Sequence, residues 1–383
     1  MLLSRRRFFR TLSTGAAVGA AAQLPIASLA SAAVFEPARQ ADGLIRLNGN
    51  ENVYGPSAKV AAAIRAATNT VNRYAYLEYD DLTERIANFH HVKSEQVVIG
   101  CGSTEILRVA AAAFLGNGKR LVQPSPTYEA IETYARVAGA EVESVALTKE
   151  FTHDLNGMLA RVDDNTTLIY ICNPNNPTAS LTPRRDLESF IAKLPVNCYV
   201  VIDEAYHHYA GQSSMYQSFL DNPVQNERVI VSRTFSKIYG LAGLRLGYAI
   251  TSPAVAKHIG PYLTRNNING IVLRAAMAAL DDTASAADFA KRNADTRQEF
   301  FNQAMARMLK PIDSHTNFVM MNTDHPAEGT IQHFRKNNIL IGRRFAAMDT
   351  YIRISLGTPD EMKAFWRVWD MLPFAQMPMQ HQM

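Results

Sequence analysis

Between about residues 96 and 250, short apolar runs alternate with segments in which apolar residues recur at helical spacing. The apolar runs cover residues 96–100, 120–122, 168–171, 199–202, 228–231 and 247–250. Helical spacing follows two of them, over residues 105–115 and 128–137. Because the runs are β-branched and apolar on both faces, they are typical of strands covered by helices on each side. The alternation predicts an α/β fold built on a mostly parallel sheet.

The pattern changes after about residue 283. A long helix with a polar face is predicted to extend to about residue 309. It is followed by predicted strands over 317–321 and 351–355 and predicted helices over 331–336 and 359–371. Fewer strands and longer helices predict a second, smaller α+β domain in the last third of the chain.

The first residues have the pattern of an export signal. Residues 4–10 read SRRRFFR, a run of small and mildly apolar residues follows to about residue 29, and an A-x-A-like cleavage site lies near residues 30–33. A membrane anchor would need about 20 strongly apolar residues, whereas this run contains Gln23 and Pro25. The arginine pair before Phe8 resembles the twin-arginine signal. We therefore expect residues 1–32 to be a cleaved twin-arginine signal peptide, leaving a periplasmic or exported bacterial protein without stable membrane insertion.

The charge balance bears on the partner. Four of the 39 basic residues lie in the first ten positions, so the remaining 35 equal the 35 acidic residues. A formally neutral body argues against nucleic acid as the main partner, because phosphate backbones need a concentrated basic surface. Cys101, Cys172 and Cys198 form no C-x-x-C pair and lie in or beside apolar runs. We therefore expect small buried side chains, with no disulfide framework and no metal site.

Four polar segments follow predicted strands, where ligands bind in open α/β sheets. Residues 100–105 place Ser103 and Thr104 at the start of a predicted helix after two glycines, which indicates a phosphate cup. By itself this pattern also fits an ordinary capped turn. Residues 173–178 hold two prolines and Asn176, whose amide can donate to an anionic oxygen. An ordinary Pro/Asn turn is the alternative there.

The other two segments carry charges in apolar surroundings. Asp203 directly follows a buried strand, and Tyr206 comes three residues later. A carboxylate at the end of a buried strand is costly unless it is paired, so either a helix cap, a surface ion pair or a bound cation is expected. Residues 232–248 place Lys237 among hydroxyls and glycines, with Arg245 eight residues on. Most lysines are solvated surface charges, but this run is apolar and glycine-rich.

One ligand has a group for each of these side chains. A cationic ring nitrogen suits Asp203, a phenolate oxygen suits Asn176 and Tyr206, and an aldehyde suits the amine of Lys237, with which it forms a Schiff base. The phosphate would be held by hydroxyls and a guanidinium, those of Ser103, Thr104, Thr234, Ser236 and Arg245. Pyridoxal 5′-phosphate carries all four groups.

The chain resembles the fold-type I pyridoxal-phosphate aminotransferases, and specifically the histidinol-phosphate aminotransferase family. The matching stretches are residues 50–56, 73–74, 102–105, 126–128, 173–178, 203–206, 234–247 and 353–358. The resemblance implies a large cofactor-binding domain over 75–280 with a mostly parallel seven-stranded sheet. It also implies a small domain formed by 33–74 and 281–383.

The resemblance also implies roles. Lys237 would bind the cofactor covalently, Asp203 would pair with the ring nitrogen, and Tyr128 would stack on the ring. Asn176 and Tyr206 would contact the ring oxygen. The phosphate would be bound by Ser103, Thr104, Thr234, Ser236 and Arg245. Tyr74 would reach the phosphate of a neighbouring subunit, which implies a homodimer.

The substrate residues implied by the resemblance are Arg353, which would clamp a carboxylate, together with Asn176 and Arg343. Phosphorylated-substrate enzymes of the family have a tyrosine upstream of the N-E-N segment, and residues 34–47 contain none. Arg343 matches the family's second basic position and can still bind an anionic side group. We therefore expect transfer of an amino group from an amino acid or related amine to a 2-oxo acid, with histidinol phosphate as one candidate. The alternatives are a lyase or decarboxylase of the threonine-phosphate decarboxylase type and a non-catalytic binding protein.

Overall fold

The computed structural model describes residues 43–211, 213–221 and 227–376. The predicted signal peptide and its cleavage site therefore lie outside the described residues. Within these ranges the strands are β1 (Ile45–Leu47), β2 (Val97–Gly100), β3 (Arg120–Ser125), β4 (Glu141–Ala146), β5 (Thr166–Cys172), β6 (Tyr199–Asp203), β7 (Val229–Thr234), β8 (Gly247–Ile250), β9 (Lys310–Pro311), β10 (Phe318–Asn322), β11 (Ile339–Ile341) and β12 (Tyr351–Ser355).

The α-helices surround these strands. They are α1 (Ala58–Ala67), α2 (Tyr76–Phe89), α3 (Ser103–Phe114), α4 (Ala130–Val137), α5 (Leu155–Leu159), α6 (Arg184–Ala192), α7 (His207–Ala210), α8 (Pro253–Ile259), α9 (Gly270–Leu280), α10 (Thr283–Ala306), α11 (Ala327–Lys336) and α12 (Pro359–Trp369). None of the helices in the described part of the chain is both long and apolar enough to cross a membrane.

Seven strands form one sheet in the order β2-β8-β7-β6-β5-β3-β4. β8 runs antiparallel to both of its neighbours, and the other pairs are parallel. The predicted mostly parallel α/β sheet is thus confirmed. β4 was not predicted, because it is an edge strand whose residues are all at least partly exposed and include Glu141 and Glu143.

Alternate residues of the central strands pack on opposite sides of the sheet. Leu168 and Tyr170 of β5 join the cluster under α3 and α8, whereas Ile169 and Ile171 join the cluster with α6. All four are fully buried. A leucine or isoleucine side chain contributes about 1.5–3 kcal/mol when it is fully buried. Apolar residues on both faces of the strand are therefore required by the helices on both faces of the sheet.

The last third of the chain forms the predicted smaller α+β unit. β10 lies between β9 and β12 in an antiparallel sheet, and β1 pairs in parallel with β11. The core of this unit is aromatic, with Phe300, Phe334, Phe365 and Trp366 packed together. β1 thus brings the residues after Leu47 to the C-terminal strands. The domain boundaries at residues 75 and 280 stay a prediction.

Candidate active site

A cavity of about 410 Å³ lies at the carboxyl ends of the central strands. Cys172, Asp203 and Thr234 are the last residues of β5, β6 and β7, and all three line it. The predicted site residues that line the cavity are Ser103, Thr104, Tyr128, Asn176, Asp203, Tyr206, Thr234, Ser236, Lys237, Arg245, Arg343 and Arg353. Of the predicted set, only Tyr74 lies elsewhere. The expected convergence at strand ends therefore holds in three dimensions.

Asp203 is a buried carboxylate with neutral hydrogen-bond donors. It accepts from Tyr170 Oη at 3.1 Å and from the backbone N–H of Ala205 at 3.2 Å. Burial raises the pKa of Asp203 to about 6, although Tyr170, Ala205 and Lys237 act in the opposite direction. A bound cationic group would stabilise the ionised form of this buried carboxylate.

Lys237 presents an amine whose basicity is reduced. Its Nζ donates to the carbonyl oxygen of Asn50 at 3.0 Å and lies 5.3 Å from the centroid of the Tyr206 ring. Burial, followed by the nearby guanidinium of Arg353, lowers the pKa of Lys237 to about 8. A substantial fraction of the amine is therefore neutral near physiological pH, and a neutral amine is the form that attacks an aldehyde.

Tyr206 is held as a hydrogen-bond donor that faces the cavity. Its Oη accepts from Asn50 Nδ2 at 3.1 Å and from Asn176 Nδ2 at 3.4 Å. Burial raises the pKa of Tyr206, so that the phenol stays protonated. Because both amides donate to its oxygen, the phenolic proton is available for an anionic oxygen in the cavity.

Hydroxyls and a guanidinium surround the N-terminus of α3, which starts at Ser103. Arg245 Nη1 donates to Ser236 Oγ at 3.2 Å, and the backbone N–H of Ser236 donates to Thr234 Oγ1 at 3.1 Å. Gly247 allows the close approach of β8 to this turn, because a Cβ at that position would overlap the backbone nitrogen of Ser103. Free N–H groups, hydroxyls and a guanidinium form an anion-binding cup.

Arg353 extends from β12 to the same cavity. Its Nη1 donates to Asn176 Oδ1 at 2.8 Å and its Nη2 to the Asn48 carbonyl oxygen at 3.1 Å. The buried Nε of Arg353 has no hydrogen-bond partner among the described residues. The guanidinium lies 5.2 Å from the centroid of the Phe345 ring. Arg353 therefore keeps donor capacity for a carboxylate.

Tyr74 lies on the surface, where 74% of its area is exposed. Three neighbouring apolar side chains, Val71, Tyr76 and Leu77, are also exposed. Tyr74 therefore does not line the cavity of its own chain. Its predicted contact with the phosphate bound in a partner subunit stays a prediction.

Several residues of the site had no predicted role. Asn50 lies in the matching stretch of residues 50–56, but no role was predicted for it. Its contacts with Tyr206 and Lys237 join positions more than 150 residues apart, so the local sequence does not indicate them. Glu129 follows Tyr128 directly and also lines the cavity. Tyr170 is a central strand residue that looks like ordinary core. Within the described ranges, no cluster of residues suits a metal ion, and the three cysteines are free.

Comparisons with known proteins show the family of the chain. The model of the family "Aminotransferase class I and II" matches residues 42–368. The chain is 35% identical to histidinol-phosphate aminotransferase 2 of Carboxydothermus hydrogenoformans, over 84% of this chain and 88% of that protein. It is 33% identical to histidinol-phosphate aminotransferase of Shouchella clausii, over 84% of this chain and 87% of the relative.

A solved structure extends the similarity to three dimensions. The histidinol-phosphate aminotransferase of Sinorhizobium meliloti, in complex with pyridoxal-5′-phosphate, superposes with a TM-score of 0.80 at 28% identity. The match covers 87% of this chain and 90% of that one. The chain therefore belongs to the class I and II aminotransferases, within the histidinol-phosphate aminotransferase family.

Proposed function

We propose that the protein is a pyridoxal-phosphate-dependent aminotransferase that moves an amino group from an amino acid or related amine to a 2-oxo acid. The observation that carries this proposal is that an amine of lowered basicity and a buried carboxylate line the same cavity. Lys237 has an amine with a pKa lowered to about 8, and Asp203 is a buried carboxylate. An aldehyde-bearing, cationic heteroaromatic ring uses both groups at once.

The cavity fits pyridoxal 5′-phosphate group by group. The cup at Ser103 and Arg245 supplies donors for the phosphate, and the otherwise costly carboxylate of Asp203 gains a cation in the ring nitrogen. Tyr206 offers its proton to the ring oxygen, and Tyr128 lines the cavity beside Thr104. Lys237 would hold the aldehyde carbon. When bound, this cofactor supplies an electron-accepting ring next to the amine of the substrate.

The residues of the chain then divide the work. Arg353 orients a donor by a two-point contact with its carboxylate, which a lysine could not reproduce. Asp203 would keep the nitrogen of a bound ring protonated, because a close opposite charge shifts a pKa by about 1–3 units. With the cofactor and a donor bound, the neutral amine of Lys237 would take the proton from the substrate Cα and return it as an acid.

A lyase or decarboxylase on the same fold is the second candidate, and the half-reaction separates the two. Purified holoenzyme is mixed with one amino donor and no acceptor, and the aldehyde absorbance is followed together with the keto product. An aminotransferase loses the absorbance and forms one keto product per site. A decarboxylase releases carbon dioxide over many turnovers and keeps the aldehyde. If no donor bleaches the aldehyde, transamination is wrong.

We also propose that the active unit is a homodimer in which Tyr74 reaches the phosphate of the neighbouring subunit. The exposed apolar group around Tyr74, formed by Val71, Tyr76 and Leu77, supports this proposal because a partner surface would cover it. Sedimentation analysis gives the mass in solution. Tyr74→Ala should weaken cofactor affinity without changing the monomer fold, and a purely monomeric active enzyme would refute the proposal.

Finally, we propose that residues 1–32 direct export through the twin-arginine route. The arginine pair and the A-x-A-like site support this proposal. Replacement of Arg5 and Arg6 by lysine should retain the protein in the cytoplasm with its signal attached. Periplasmic protein that still carries Arg5 and Arg6 would refute cleavage.

A further inference from the structure

A buried tyrosine contacts the carboxylate of Asp203 from the neighbouring strand. Tyr170 lies within β5, is fully buried and does not itself line the cavity. Its ring belongs to the apolar cluster beneath α3, together with Leu107 and Val201. Phenylalanine would fill the same space without a hydroxyl, and a buried hydroxyl is costly unless it forms a hydrogen bond. Packing alone therefore does not account for a tyrosine at this position.

The hydroxyl acts as a permanent donor to the carboxylate. Tyr170 Oη donates to Asp203 Oδ2 at 3.1 Å. Burial, followed by the negative charge of Asp203, raises the pKa of Tyr170 well above its ordinary value, so the phenol stays protonated. An ionised carboxylate has no proton to give, so the hydrogen bond can run only from the tyrosine to the acid.

Neutral donors hold both oxygens of Asp203. The backbone N–H of Ala205 donates to Oδ1 at 3.2 Å, and Tyr170 donates to Oδ2. Among the charged groups, Lys237 favours the ionised form and Glu204 opposes it. Because Tyr170 and Ala205 carry no charge, they stabilise the carboxylate without neutralising it. Each carboxylate oxygen can accept a second hydrogen bond, so Asp203 keeps capacity for a cationic donor in the cavity.

The other polar side chain at this end of β5 points to a different acceptor. Cys172 ends the strand and is paired in register with Asp203. Its thiol donates to the carbonyl oxygen of Pro174 at 3.5 Å. Loss of the Tyr170 hydroxyl would therefore leave Asp203 Oδ2 without its donor from β5.

We infer that Tyr170 is a positioning residue that keeps Asp203 ionised and its carboxylate oriented, so that the ring nitrogen of the bound cofactor stays protonated. This inference rests on the proposed function and deepens it, because Tyr170 acts on the cofactor only through Asp203. Without the hydroxyl, the buried carboxylate would bind a proton more tightly, and the proton shared with the ring nitrogen would shift toward Asp203. A ring with a neutral nitrogen accepts electrons from the substrate less well.

The test removes one oxygen atom and follows the ring nitrogen. Tyr170→Phe keeps the aromatic ring and deletes the donor. Tyr248→Phe is the matched control, because Tyr248 is a buried tyrosine of β8 in the same sheet, lies 2.8 Å from His90 Nε2 through its Oη, and does not line the cavity. Each holoenzyme is prepared with ¹⁵N-labelled pyridoxal phosphate, and NMR gives the chemical shift of the ring nitrogen. On the same samples, kcat and KM are measured for one amino donor.

We expect the wild type and Tyr248→Phe to show the shift of a protonated ring nitrogen. Asp203→Asn, which has no anionic partner for the ring, should show the shift of a neutral nitrogen, and Tyr170→Phe should lie between these limits. Its kcat should fall about tenfold, the scale of one hydrogen bond to a charged group. KM should change much less, because Tyr170 does not reach the cavity. A merely structural role would lower stability without moving the nitrogen shift.

The inference is overturned if Tyr170→Phe keeps the wild-type nitrogen shift, or if the nitrogen of the wild type is itself neutral. It is also overturned if Tyr248→Phe moves the shift as far as Tyr170→Phe does. Tyr170→Leu also lacks the hydroxyl and provides the same comparison if Tyr170→Phe does not fold. Failure of every amino donor to bleach the aldehyde of the wild type is a different result, because it refutes the proposed transamination and leaves the nitrogen shifts to be compared.

Discussion

Replacement of Asp203 by asparagine should make the cofactor-free protein more stable and the enzyme less active. Burial raises the pKa of Asp203 from an ordinary 3.8 to about 6 in the folded chain. At about 1.4 kcal/mol per pKa unit, this difference corresponds to about 3 kcal/mol. Asparagine has nearly the same shape: its Oδ1 can accept from the Ala205 N–H, and its Nδ2 can donate to Tyr170 Oη.

The sign of the effect follows from the proton balance. The unfolded chain ionises Asp203 above pH 3.8, whereas the folded chain keeps the proton until about pH 6. As pH rises between these values, ionisation favours the unfolded state, and the penalty is complete above the folded pKa. Relative to wild type, Asp203→Asn should gain little near pH 4, about half of the 3 kcal/mol at pH 5 and all of it above pH 6.

Urea unfolding of the cofactor-free proteins at pH 5, 6 and 8 measures this gain directly. The exposed Asp164 provides a matched control variant, Asp164→Asn. Cofactor loading should stabilise the wild type more than Asp203→Asn, since only the carboxylate pairs with the ring cation. The reasoning is refuted if Asp203→Asn is no more stable than wild type at pH 8, or if its gain does not change with pH.

Three further outcomes follow from the site. Because the pKa of Lys237 is about 8 rather than 10.5, the rate at which cofactor-free enzyme captures pyridoxal phosphate should rise about tenfold from pH 6 to 7 and level off above pH 8. A capture rate, measured by stopped flow, that still rises tenfold per pH unit at pH 9.5 would contradict this. Gly247→Ala should weaken cofactor affinity at least tenfold in an absorbance titration, because its Cβ overlaps Ser103. Gly116→Ala is the control, since a Cβ at Gly116 meets no atom within 4 Å, and equal affinities in the two variants would refute the cup. Arg353→Lys should reduce kcat/KM for carboxylate donors by about 10–100-fold, because lysine loses one charge-assisted hydrogen bond to the carboxylate. An equal reduction for amines without a carboxylate would contradict the two-point contact of Arg353 with the carboxylate.

The central sheet was predictable from sequence because its physics is local. Strands β5 to β7 are apolar on both faces, and helices on both sides of the sheet demand that pattern. β4 was missed because all of its side chains are at least partly exposed, so a sequence with Glu141 and Glu143 is tolerated there and lacks the apolar pattern of a central strand. β1 has only three residues, and its pairing with β11 depends on a strand almost 300 residues away.

The site was predictable to the extent that strand ends converge. Asp203 and Lys237 each follow or lie near an apolar run, so parallel topology alone brings them toward one edge. The contacts that set their properties are long-range and leave no local pattern. Tyr170 donates to Asp203 from the middle of a strand, and Glu129 pairs with Arg343 across 214 positions of sequence. These contacts can be identified only from the three-dimensional structure.

The central claim is that Lys237 holds the cofactor covalently beside a buried acid. Borohydride reduction of the holoenzyme, followed by proteolysis and mass spectrometry, tests it most directly. We predict one phosphopyridoxyl group per chain, located on Lys237, and none in Lys237→Ala. An adduct on another lysine, or none after complete cofactor loading, would contradict the account.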